Sequence, residues 1–375
     1  MFQNILIIGH SNIGDACYNA VVAAPLQEQF PQARISILTS SRTQNIFQGY
    51  TGIHKIFLFD TYAKDKGLFG YLRLIRVLRK EKFDLAVVLN STLLYKFLGI
   101  PRVWSVREYL GRRPCEVKKH IADIYLEFLK AKGVSFTPLH PESHSLQTGD
   151  EWQIKFESTR KPRPLGRGVT GFTQAKFCFN LSEQEKSFAG DFLKEQSVGE
   201  EDILIGILPI AAWSLKSWPV EKWNESAKIL KSRYGAKLIA LGKSGDDSFS
   251  REVLKNMSSD IIDAIDKTSL KQAMAILKRC KLFIAPDSSL LHLASCMGVE
   301  VIGLYGATSA QFIYPYFHRE NVVVSKSALG CMPCYPGDKI AVCKKEFQPG
   351  ECMDGISVED ILSVVEAKLH RGNCL

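Results

Sequence analysis

Phe283-Ile284-Ala285-Pro286-Asp287-Ser288-Ser289-Leu290-Leu291-His292-Leu293-Ala294 carries an apolar strand straight into a helix, with a short polar turn between them. A few apolar residues followed at once by a longer apolar run are what a parallel strand and its crossover helix look like in sequence. The pattern extends in both directions. In the second half of the chain Ile203–Leu208, Lys237–Leu241, Ile261–Ala264, Leu282–Ala285 and Val299–Leu304 read as buried strands, and Thr268-Ser269 opens the helix between the third and fourth. In the first half the corresponding runs are Ile5–Ile8, Ile35–Leu38, Lys55–Phe59, Leu85–Leu89 and Val103–Val106, separated by amphipathic segments such as Tyr71–Lys82. Short strands alternating with helices predict an α/β chain built from doubly wound parallel sheets.

With 375 residues the chain exceeds what one hydrophobic core supports, so two domains are expected. Between about residues 142 and 171 the pattern breaks at Lys161-Pro162-Arg163-Pro164 and at Gly166, Gly168 and Gly171. Ser182 with Glu185 then forms a capping-box pattern that starts the second series. The expected division is a Rossmann-like domain over 1–172, a second over 173–356 and a terminal helical segment over 357–375. Two such sheets place their carboxyl-end loops along one cleft, which is where ligands of doubly wound sheets bind.

Composition narrows the function. Apolar residues make up 46% and charged residues 23%, which describes a folded globular protein. Lys and Arg total 48 against 39 Asp and Glu, a net charge of +9 that favours anionic partners such as nucleotide phosphates or the inner face of a membrane. No basic-aromatic alternation or nucleic-acid motif is present, so nucleic acid is not an expected partner. The start Met1-Phe2-Gln3-Asn4 lacks a basic leader, and Asp15 interrupts the first apolar run, so cytoplasmic residence is expected, with peripheral contact at the inner membrane.

The strand-terminal loops carry the candidate chemistry. Gly9-His10-Ser11-Asn12-Ile13-Gly14-Asp15 is neither a dinucleotide fingerprint nor a P-loop, since no Lys-Ser/Thr follows the second glycine. Asp15 is placed to point a carboxylate into the cleft; the alternative is that it caps the helix. Lys216 stands in Trp213-Ser214-Leu215-Lys216-Ser217-Trp218-Pro219, where an ammonium can reach a diphosphate while Trp218 and Trp223 brace the loop. A solvated surface lysine is the alternative. Ser288 and Ser289 offer hydroxyls and N–H groups at a helix start, where the macrodipole favours phosphate, or simply an N-cap. His292 lies one turn further in, facing the same site or packed in the core. Gly306 and Thr308, in Tyr305-Gly306-Ala307-Thr308, could bring backbone close to a pyrophosphate, and an aspartate near Gly245-Asp246-Asp247 could accept from a ribose.

Cys331, Cys334, Cys343 and Cys352 give C-x2-C-x8-C-x8-C, a candidate structural zinc or iron site outside the cleft loops. Disulfides and free thiols are the alternatives.

Taken in order, the Ile13-Gly14-Asp15 turn, Lys216-Ser217-Trp218-Pro219, Asp287 through Ala294 and Tyr305-Gly306-Ala307-Thr308 resemble glycosyltransferase family nine, the ADP-heptose:lipopolysaccharide heptosyltransferases. Phe83-Asp84 and His120 through Tyr125 look familial as well. The resemblance implies a GT-B fold, an inverting reaction with no catalytic cofactor or metal, an ADP-sugar donor and a lipopolysaccharide-core or other glycan acceptor. It also implies a helix at about Val358–His370 that crosses back onto the first domain. Carried over by position, Asp15 matches the catalytic base, Lys216 the contact to the donor diphosphate, and Asp287, Ser288 and His292 the donor-binding turn. Asp246 is a looser match for a ribose contact. The family often has Thr-Gly where this chain has Ser288-Ser289, and Thr-Leu-Pro where it has Ala20 and Val21, which bears on the acceptor. No Asp-x-Asp motif flanks the cleft loops, in keeping with metal-independent chemistry. Rival readings are a uridine-donor transferase, a nucleotide-sugar epimerase, or a non-catalytic nucleotide-binding protein whose cysteine segment recruits a partner.

Overall fold

The computed structural model describes residues 2–48, 50, 52–60, 65–111, 119–136, 179–335 and 350–370. The break expected over residues 142–171 lies outside them. The first half contains strands β1 (Asn4–Ile8), β2 (Arg34–Thr39), β3 (Lys55–Leu58), β4 (Leu85–Val88) and β5 (Arg102–Ser105). Its helices are α1 (Ile13–Gln29), α2 (Gln44–Phe47), α3 (Leu68–Lys80), α4 (Val106–Leu110) and α5 (Ile121–Ala131). The second half contains β6 (Leu204–Ile207), β7 (Lys237–Ala240), β8 (Ile261–Asp263), β9 (Leu282–Pro286), β10 (Val301–Tyr305) and β11 (Val322–Val324). Around them lie α6 (Glu183–Glu195), α7 (Val220–Tyr234), α8 (Ser248–Asn256), α9 (Leu270–Arg279), α10 (Ser289–Cys296), α11 (Glu351–Asp354) and α12 (Val358–His370).

The sheets run β3-β2-β1-β4-β5 and β11-β10-β9-β6-β7-β8, with every pairing parallel. Each is doubly wound: successive strands add outward on one side, then the chain returns to the middle and adds on the other. This is the GT-B arrangement of two Rossmann-like halves. Strands covered by helices on both faces read as unbroken apolar runs, and Ile5, Leu6, Ile7, Leu204, Ile205 and Phe283 are accordingly buried. Crevices open where the winding reverses, between β1 and β4 in one sheet and between β6 and β9 in the other. The Asp15 loop leaves β1, the Lys216 segment follows β6 and the Asp287 turn follows β9, so all three candidate segments sit at these switch points.

One strand goes beyond the sequence reading. β11 was not anticipated; three valines on an outer strand are too short a run to register a period. The terminal helix spans Val358–His370, and its described residues pack on the second half. Its stripe of Val358, Ile361, Leu362, Val365 and Leu369 fills the second core beside α7 residues Trp223, Ala227 and Leu230. Glu366 takes Tyr234 Oη at 2.9 Å and Arg233 at 3.1 Å, and Lys368 pairs with Glu300 at 2.6 Å. Among the described residues no helix is long and apolar enough to cross a membrane.

Candidate active site

The turn after β1 is held by side chains from three elements. Asn90 Nδ2 donates to the Gly9 carbonyl at 2.7 Å, Asn19 Nδ2 to the His10 carbonyl at 3.1 Å, and Ser40 Oγ to the Ser11 carbonyl at 3.0 Å. Asn12 is the N-cap of α1, without a side-chain cap bond, and Asp15 lies in the first turn. The Asp15 carboxylate is half-buried and accepts a long hydrogen bond from Asn12 Nδ2 at 3.4 Å. The N-cap position thus belongs to Asn12, and Asp15 stands inside the first turn of the helix.

In the second half Lys216 closes a short helical turn, Ser214–Lys216, beneath which Ser217 Oγ accepts from Ala211 N at 3.0 Å. Trp218 and Trp223, both 1% exposed, stack edge to face at 4.8 Å, and Trp218 Nε1 donates to the Ile356 carbonyl. That packing aims Lys216 inward. Its Nζ lies 3.2 Å from Asp287 Oδ2, while His292 Nε2 donates to Asp287 Oδ1 at 2.9 Å. Burial alone would raise the Asp287 carboxyl, but the His292 hydrogen bond and the Lys216 ammonium outweigh it and bring the pKa down to about 2. Asp287 thus fixes a lysine and a histidine at the start of α10. Ser288 is the N-cap of that helix, its Oγ accepting from Leu291 N at 3.3 Å, so the cap reading holds for its lone pair.

The halves meet along α1 and α10. Gly14 N donates to Ser289 Oγ at 3.2 Å, and a Cβ on Gly14 would sit 3.5 Å from that oxygen, so this glycine approaches the other half rather than open space. One turn along, Tyr18 Oη lies 2.6 Å from His292 Nδ1, and the Cys17 thiol donates to the Ile13 carbonyl at 3.3 Å. With Nε2 of His292 donating to Asp287, Nδ1 accepts the Tyr18 proton. The carbonyl of Tyr314, 3.2 Å from Tyr18 Oη, is served by His120 Nε2 at 3.0 Å. His120 Nδ1 accepts from Ala122 N, which fixes the neutral tautomer, and burial holds its pKa down at about 3.

Tyr335 reports how the acidic groups sit. Burial raises its hydroxyl pKa, and the negative charges of Asp15 and of Asp287 raise it further, so carboxylates from the two halves act on one phenol. Tyr125 is likewise pushed up by burial and then by Asp15. Tyr335 is positioned by the loop after β10: its N–H and that of Cys334 both donate to the Ala307 carbonyl, and Thr308 bridges to Tyr335.

Other candidate residues fall elsewhere. Gly306 is tight against Cys352 and Met353; an added Cβ would lie 2.5 Å from the Cys352 carbonyl oxygen. Thr308 is buried. Asp246 is exposed on the loop after β7, whereas Asp247 caps α8 through Ser250 N at 2.9 Å and Asp266 binds Ser244 N, which leaves Asp246 as the carboxylate facing outward there. Cys331, Cys334 and Cys352 line one small cavity with Leu215 and Ala307, but Cys334 donates to the Cys331 carbonyl and Cys352 to that of Leu215. Cys343 lies outside the described residues, and among those described no group of three His, Cys, Asp or Glu converges to hold a metal.

Tyr18, Tyr314 and Tyr335 were not singled out from the sequence. Tyr18 had a readable signal, since it follows Asp15 at helical i,i+3 spacing; the other two come from loops whose place only the fold decides.

Residues 161–343 match the model of glycosyltransferase family 9 (heptosyltransferase). Over 327 residues the chain is 25% identical to lipopolysaccharide heptosyltransferase 2 of Salmonella typhimurium, covering 86% of this chain and 88% of that protein. Its fold is similar to that of the glycosyl transferase family 9 from Veillonella parvula, with a TM-score of 0.74, 20% identity and 98% of each chain covered. For E. coli ADP-heptose lps heptosyltransferase II the TM-score is 0.67, at 20% identity, over 99% of this chain and 100% of that one.

Proposed function

We propose that this chain, a glycosyltransferase related to family 9, transfers a heptose from ADP-heptose to a hydroxyl of a lipopolysaccharide-core acceptor, with inversion at the anomeric carbon. Asp15 takes the proton of the acceptor hydroxyl as that oxygen attacks the anomeric carbon. The bond to the diphosphate oxygen breaks, and ADP leaves from the opposite face. Negative charge grows on the leaving diphosphate, where Lys216 and the N-terminus of α10, with Ser288 and Ser289, offer an ammonium, hydroxyls and helix-dipole N–H groups. Asp287 and His292 hold Lys216 and the helix start in place. Asp246 is the ribose candidate, and Gly306 and Thr308 support the loop that carries Tyr335. The protein's own cations supply the charge stabilisation, so the reaction as proposed needs no added metal.

The observation that carries this reading is the contact of the Asp15 turn with the Asp287 turn: Gly14 N donates to Ser289 Oγ at 3.2 Å, at the start of the helix where Lys216 lies 3.2 Å from Asp287. The test is mass spectrometry of a heptose-deficient core acceptor incubated with ADP-heptose or with uridine-linked sugars. Gain of one heptose from the adenosine donor supports the proposal; transfer from a uridine donor alone, or no product with either, removes it.

A further inference from the structure

From Lys216 a line of buried side chains runs out of the second half and into the first. Asp287 holds Lys216 Nζ at 3.2 Å and His292 Nε2 at 2.9 Å, and His292 Nδ1 lies 2.6 Å from Tyr18 Oη on α1. Asp287, His292 and Tyr18 are all buried, a setting in which a polar atom that loses its partner is costly. Burial pushes the Tyr18 hydroxyl pKa up, which keeps its proton in place as the donor to His292. The Tyr314 carbonyl, 3.2 Å from Tyr18 Oη, is served by His120 Nε2 at 3.0 Å, so the one hydroxyl proton goes to the shorter contact. The ring itself packs edge-on against His120 at 4.8 Å.

Tyr18 follows Asp15 by one turn on the same helix. The polar contacts between α1 and α10 fall at two heights: Gly14 N donates to Ser289 Oγ at 3.2 Å, and one turn on Tyr18 meets His292. A single contact would leave a pivot, whereas two fix both the slide and the rotation of one helix on the other. The Gly14 bond is exposed, and the Tyr18 bond is buried. The second is therefore the stiffer tie, because water does not compete for it.

We propose that Tyr18 is a positioning residue for transfer: its bond to His292 holds the helix that bears Asp15 in register with the turn that holds Lys216. It touches no reacting atom. It acts through His292 on one side and through the first turn of α1 on the other. Phenylalanine at this place keeps the ring against His120 but leaves His292 Nδ1 buried without the hydroxyl, and α1 can then shift on α10. A displacement of about 1 Å between base and leaving group is enough to cost roughly a hundredfold in rate. The link stands on its contacts alone; that its register serves sugar transfer rests on the proposed function.

The test compares wild type with Tyr18→Phe, first by hydrogen exchange of the full chain without substrate, read by mass spectrometry. Amides at the start of α1 and along α10 should exchange about tenfold faster in the variant, while those of β2 and α7 stay as in wild type. In turnover with ADP-heptose, kcat should fall by about ten- to a hundredfold, with ADP affinity within about threefold of wild type. On top of Asp15→Asn, adding Tyr18→Phe should change the residual turnover by less than about twofold, because the base it positions is gone. His292→Gln keeps a donor toward Asp287 and loses the nitrogen facing Tyr18, so it removes the same bond from the other side. It should lower kcat by a similar factor, and combining it with Tyr18→Phe should add less than about twofold; it also carries the test if Tyr18→Phe does not fold. Equal exchange in the two proteins, unchanged kcat, ADP affinity falling in step with kcat, or a full further loss on top of Asp15→Asn would each overturn the proposal. Exchange needs no donor, so the link is judged even if wild type transfers no heptose, a result that would sink the transfer reading by itself.

Discussion

Replacing His120 with glutamine should remove one source of this protein's sensitivity to mild acid. His120 is 1% exposed, with Nδ1 accepting from Ala122 N and Nε2 donating to the Tyr314 carbonyl. Adding a proton at Nδ1 would break the first bond and bury a charge, which is why its pKa is held at about 3. An unfolded histidine titrates near ~6.5. Between those values the unfolded chain binds the proton and the folded one does not, so stability falls as pH falls from about 6.5 toward about 3. At pH ~5 the loss from this one residue is about 2 kcal/mol, from ~1.5 pH units at ~1.4 kcal/mol each. Asp123 acts with the opposite sign, since burial raises its pKa and the folded state holds its proton more tightly. It is present in both proteins and cancels in their difference. Glutamine keeps a donor for the Tyr314 carbonyl but does not titrate. Urea unfolding at pH ~7 and ~5 should show wild type losing about 2 kcal/mol more than His120→Gln. Equal losses in the two proteins would mean that His120 titrates alike folded and unfolded.

Lys216→Ala should weaken ADP binding by about tenfold or more in calorimetry, because a charge-assisted contact of ~1.5–3 kcal/mol is lost. Unchanged affinity would make Lys216 a partner of Asp287 alone. Gly306→Ala should destabilise the second half by about 1–3 kcal/mol in thermal or urea unfolding, since the new methyl meets a backbone oxygen at 2.5 Å that cannot easily give way. A neutral result would show that the segment at Cys352 can move.

The strands were readable because helices cover both sheet faces, so Ile5–Ile8 or Leu282–Ala285 could be nothing but buried. Caps were readable for a local reason: Ser182 with Glu185 and Ser269 with Gln272 both form capping boxes. What escaped was whatever depends on which element meets which. The stripe on α12 showed that it packs, not against what. Gly306 reads in sequence as backbone close to a pyrophosphate, whereas the structure packs it against Cys352 and Met353. Of the candidate residues, the structure brings Lys216, Asp287 and His292 together, each on a strand-terminal loop or the helix it opens. The contact of Tyr18 with His292 was beyond the sequence, because it depends on a neighbour hundreds of residues away.

The direct measurement is turnover by Asp15→Asn alongside its ADP affinity. Asparagine keeps the shape and the Asn12 contact but cannot take a proton. The proposed role requires kcat to fall by roughly 10²–10⁴ with ADP binding close to wild type. Wild-type turnover in that variant would contradict the assignment of Asp15 as the base and, with it, the reading of the crevice between the two sheets as the place where transfer occurs.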